Sequence, residues 1–154
     1  MKLNIIKIAI LSVATLSFSS HAVSDTDKEK MMSLVKESSP YVVGMGKNVD
    51  EVCRDMANDM VKKYGSQLSS IGKSPSDIRD STSGICLDAA SSAASSQSME
   101  EVSMWKNSAM QNINKTFQGE NEKSPARTFL VDVIGHSEKM AKTIAFMMEI
   151  NRSR

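Results

Sequence analysis

Past residue 22 the chain holds one histidine, His136, and two cysteines, Cys53 and Cys86. That supply is too small for a His/Cys metal signature, so no metal site or cofactor is expected. No G-x-S-x-G turn occurs, which removes the local signature of a serine hydrolase. Neither charge dominates: without Lys2 and Lys7 there remain 17 basic and 18 acidic side chains, a net of −1. A basic face for nucleic acid is therefore not expected. Beyond the first stretch no segment stays apolar for the roughly 18 residues a spanning helix requires, so stable membrane insertion is not expected. Aromatics make up 5% of the residues and strand-like alternation is scarce, which points away from a β fold.

What is present begins with an N-terminal pattern. Lys2 and Lys7 lead into an apolar run from Ile8 to Phe18, and Ser20-His21-Ala22 offers small residues at the two positions a signal peptidase reads. The expected organisation is a signal peptide over 1–22 and a single helical domain over 23–154. Export to the periplasm or the medium follows, and in that setting Cys53 and Cys86 are expected to form one internal bridge.

Helical signals fill the remainder. Ser39-Pro40, Ser74-Pro75 and Ser124-Pro125 each join a good N-cap to a residue suited to the first helical turn. Asn48 with Glu51, and Ser98 with Glu101, have capping-box spacing, the serine form being the better match. Val49, Val52, Cys53, Met56, Met60, Val61 and Tyr64 fall at steps of three and four, and Leu68 and Ile71 carry that stripe past Gly65 towards Gly72. The next stripe is Ile78, Thr82, Ile85, Cys86, Ala89, Ala90 and Ala93. It runs into an Ala/Ser segment that we read as helix with a flat small-residue face rather than as a linker. A third stripe is Val102, Trp105, Ala109, Ile113 and Phe117. The last is the most regular: Ala126, Leu130, Val133, Ser137, Met140, Ile144 and Met147, widened by Phe129, Ile134, Ala141 and Met148. A weaker helix over Asp27 to Ser38 completes an all-α bundle of about five helices. Pro40 restarts the chain, and Gly44 and Gly46 end a short piece. Both cysteines lie on buried faces of consecutive helices, which suits an inter-helix disulfide.

Chemistry is harder to place. Asp132, His136 and Ser137 are a hydrolase's residue types, but successive helical residues point about 100° apart, so one helix cannot assemble them. Gly44-Met45-Gly46 resembles part of a dinucleotide turn but lacks its third glycine. Methionine is the real excess, with eleven past residue 22 against four leucines. Methionine fills irregular cores and also lines adaptable binding surfaces. Met140, Met147 and Met148 are therefore the candidate partner-binding residues, with a protein partner or a second copy of the chain as ligand. No catalytic residue is assigned.

In outline the chain is similar to exported bacterial helical binding proteins: toxin-neutralising immunity proteins, acid-stress chaperones and secretion-system pilotins. The expected function is a non-catalytic protein that binds another protein. The alternative is a small envelope-acting hydrolase using carboxylates such as Asp55 with Asp59 or Glu100 with Glu101. A Met-rich copper-binding protein ranks below both.

Overall fold

A computed structural model describes Thr26, Glu29, Ser33 and residues 40–43, 46–96, 98–121 and 123–152. Four helices are defined there: α1 (Val49–Ser69), α2 (Pro75–Ser95), α3 (Met99–Thr116) and α4 (Pro125–Arg152). No strand occurs among the described residues. The count is four rather than about five. The fifth helix was placed on Asp27–Ser38, and Glu29 and Ser33, with Thr26 just before them, are described and helical. The remainder of that stretch, the signal segment and Gly44-Met45 lie outside the described residues.

The caps explain the starts. The Asn48 side chain accepts from the Glu51 N–H at 2.9 Å, and the Glu51 carboxylate accepts from the Asn48 N–H at 2.9 Å. Ser74 and Asp77 form the same reciprocal pair ahead of Pro75. Ser124 Oγ accepts from the Arg127 N–H at 3.3 Å. At Ser98, the motif rated higher from sequence, the hydroxyl accepts from the Glu101 N–H at a longer 3.4 Å. We expect Asn48→Ala to cost about 1 kcal/mol, read as a lower urea midpoint with an unchanged slope.

The Ser-Pro rule fails at Pro40. Residues 40–43 are not helical, and burial alternates from Tyr41 (8% exposed) through half-buried Val42 to Val43 (7%). A two-residue period is that of extended chain, and tertiary contacts made by Tyr41 override the local preference. At the other end of α1, Gly72 takes φ +78°, where a Cβ is strained. Its N–H donates to Ser69 O at 3.0 Å and that of Lys73 to Leu68 O at 3.0 Å, closing the helix with a Schellman turn.

Packing follows the stripes. α2 and α4 each touch all three other helices, and α1 touches α2 and α4. The inner face of α2 is Ile78, Thr82, Cys86, Ala89, Ala90 and Ala93, all buried. The alanines let neighbouring backbones approach closely, and the Thr82 hydroxyl is satisfied by Ile78 O at 2.7 Å. The Ala/Ser segment is therefore helix, as far as Ser95. Cys53 of α1 and Cys86 of α2 are bridged, with Cα atoms 5.6 Å apart and both side chains at most 1% exposed. Polar ties cross the outer surface: Trp105 Nε1 donates to Asp88 at 2.7 Å, and the Arg152 guanidinium to Ser96 O at 2.9 Å.

Candidate functional site

Helix α1 brings Asp55, Asn58, Asp59 and Lys62, with buried Val52 beneath them, to one side, because steps of three and four return to the same side of a helix. Pro40, Tyr41 and Lys47 complete the lining. Together these residues line a cleft of about 300 Å³. Its two acids and two lysines are matched in pairs. Lys47 Nζ meets Asp55 at 2.6 Å, and Lys62 Nζ meets Asp59 at 2.9 Å. The Tyr41 hydroxyl donates to Asp59 at 3.2 Å. Asn58 Oδ1 accepts from Arg79 Nε at 3.3 Å, tying that edge to α2.

Behind Tyr41 lies a second polar layer between α1 and α4. The Tyr41 ring meets His136 edge-on, centroids 5.2 Å apart and planes at 90°. His136 Nε2 is 3.5 Å from Asp132, one turn earlier on α4. The Asp132 carboxylate also accepts from Lys63 Nζ at 2.8 Å and from the Tyr64 hydroxyl at 2.9 Å. Tyr64 in turn packs edge-on against Phe129. Further along α4, Glu138 is held between Lys106 of α3 at 2.7 Å and Lys142 at 2.9 Å.

The electrostatics run in one direction. Burial, reinforced by the charge of Asp59, pushes the Tyr41 hydroxyl up to about 12. The hydrogen bond from Lys62 draws Asp59 below its ordinary value. Burial works to raise Asp132, but the hydrogen bonds from Lys63 and Tyr64 outweigh it and leave the carboxyl low. The same contest at Glu138 is decided downward by Lys106 and Lys142. Lys47 and Lys63 are raised by the hydrogen bonds they give to Asp55 and Asp132. Burial lowers His136. Each of these groups is thereby held in the state it ordinarily has near neutral pH.

The residues singled out from sequence separate accordingly. Cys53 and Cys86 meet as a bridge. Asp132 and His136 meet on α4, but Ser137 turns away into the core, where its hydroxyl donates to Met56 Sδ at 3.7 Å. Asp55 and Asp59 both line the cleft, each beside a lysine, and Glu100 and Glu101 are exposed on α3. Met140, named as a candidate partner contact, is 0% exposed and packs in the core. Met147 and Met148 are half-buried, Met148 packing against the core. Among the described residues no three His, Cys, Asp or Glu side chains converge as a metal site. Sequence reasoning missed Tyr41, Lys47, Asn58 and Lys62. The i,i+3 spacing of Asp59 with Lys62 was a usable signal, whereas the approach of Tyr41 had none. Comparison with family models, with curated proteins and with solved structures finds no match.

Proposed function

We propose that this chain is a small exported protein without catalysis of its own, which binds another protein through the Tyr41 cleft. A toxin to be neutralised or a client in assembly is the kind of partner it suits. The observation that supports this reading is the matching of opposite charges along the cleft, Lys47 with Asp55 and Lys62 with Asp59. Catalytic carboxylates need environments that push one of them up towards neutrality. Asp59 is pushed down rather than up, which does not suit it as the acid of a carboxylate hydrolase. Lys47 and Lys62 facing Asp55 and Asp59 fit a polar partner segment carrying both signs of charge. The Cys53–Cys86 bridge and the N-terminal pattern support export.

The test places a photo-reactive residue at Lys62 or, as control, at exposed Ser91 on α2, in envelope extracts of the source cell. One discrete adduct is expected at position 62 and none at 91. Asp55→Lys is expected to weaken that complex about tenfold, or ~1.4 kcal/mol. Equal labelling at both positions, or turnover of peptidoglycan by the purified chain, would overturn the reading.

A further inference from the structure

We propose that α3 is a detachable cover: it lifts off α2 and α4 as one unit, well short of global unfolding, while α1, α2, α4 and the Tyr41 cleft stay packed.

The sequence already limits its grip. The stripe Val102, Trp105, Ala109 and Ile113 supplies about one apolar residue per turn, a narrow seam for a surface helix. Only Val102 and Ile113 of the 18 residues of α3 are buried, and Trp105 and Ala109 stay half-buried. By contrast α1 buries eight of its 21 residues and α2 six of its 21. Apolar burial is the main force holding a helix to its neighbours, so α3 is held less firmly than either. The bridge ties α1 to α2, and α3 has no cross-link.

Polar ties supplement that seam. Trp105 Nε1 donates to Asp88 of α2 at 2.7 Å, Lys106 meets Glu138 of α4 at 2.7 Å, and the Arg127 guanidinium of α4 donates to Asn114 Oδ1 at 3.0 Å. Glu138 is the deep member, its side chain 9% exposed, and it also meets Lys142 of its own helix at 2.9 Å. Withdrawal of Lys106 therefore does not leave a buried charge alone, the outcome that makes most buried pairs costly to break. Lys106 itself is 39% exposed and passes readily to water.

No contact joins α1 to α3, and the cleft is built on α1 and the residues before it. Opening thus leaves the cleft formed. It uncovers Val102, Ile113 and the sides of α2 and α4 against which α3 packs, an apolar seam separate from the cleft. The motion does not depend on what the cleft binds.

Native-state amide hydrogen exchange on the bridged chain, in a series of sub-denaturing urea concentrations, tests this. Central α3 amides, from Ser103 to Ile113, are expected to exchange about a hundredfold faster than central amides of α1 and α2. Their rates are expected to depend weakly on urea, whereas those of α1 and α2 follow the steep slope of global unfolding. Lys106→Met keeps most of the stem and removes the tie, and it is expected to speed α3 exchange about threefold. A single protection level and urea slope shared by α1, α2 and α3 overturns the cover. So does fast exchange confined to the first and last turns of α3, which is fraying, or α3 exchange unmoved by Lys106→Met. None of these readouts requires a partner, so failure here is distinct from failure of the cross-linking test.

Discussion

Replacing Cys53 and Cys86 together by alanine is expected to remove about 3–4 kcal/mol of stability. The bridge closes a loop across a sequence separation of 33, and without it the unfolded chain regains the entropy that closure had removed. Small domains unfold at about 5–15 kcal/mol, so this is a large share of the total. The loss falls unevenly. α2 and α4 touch every other helix, whereas α1 and α3 each touch only those two, and of these α1 alone is cross-linked. Cutting the bridge leaves α1 joined to α2 only through the short loop 70–74 and by packing, so α1 and the cleft along its outer edge are expected to loosen first. Both sulfurs are at most 1% exposed, so a serine pair, which buries two hydroxyls, is expected to be worse than an alanine pair. Urea titration of the double variant, and of the native chain with and without dithiothreitol, measures this. An unchanged midpoint on reduction would mean that helix packing alone holds α1 in place.

The helices were legible because their signals are local. Steps of three and four marked the faces of all four, and proline or serine marked where α2 and α4 begin. The bridge was legible because the two cysteines lie on stripes whose buried sides are fixed by the same spacing. The cleft was not. Tyr41 reaches Asp59 across 18 residues and Tyr64 reaches Asp132 across 68, and no periodicity encodes such pairings. Residues 40–43 show the limit most sharply. Ser-Pro promises a helix, but burying Tyr41 and Val43 on the same side demands an extended chain, and burial outweighs a cap worth about 1 kcal/mol. Methionine gave the opposite difficulty. Its abundance was plain, but a thioether reads alike in a core and on a binding strip, and only burial separates the two.

That separation is open to measurement at Met140. Met140→Ala is expected to cost about 2–5 kcal/mol, because the side chain is fully enclosed and its removal leaves a cavity that a packed interior closes only in part. Met104 is 63% exposed on α3, and Met104→Ala is expected to stay within about 0.5 kcal/mol of the native chain. Met140→Leu keeps most of the volume and is expected to cost less than about 1.5 kcal/mol. The three urea midpoints therefore fall in a fixed order, with alanine at 140 far below the other two. Were Met140 a partner contact instead, its alanine variant would unfold like the Met104 variant and lose only binding. The direction of the Met140 side chain decides between these outcomes, and it points to the side of α4 that also carries Val133, Ser137 and Ile144 into the core. Methionine at this position serves packing: an unbranched, flexible thioether adapts to the core that Val133, Ser137 and Ile144 share with it.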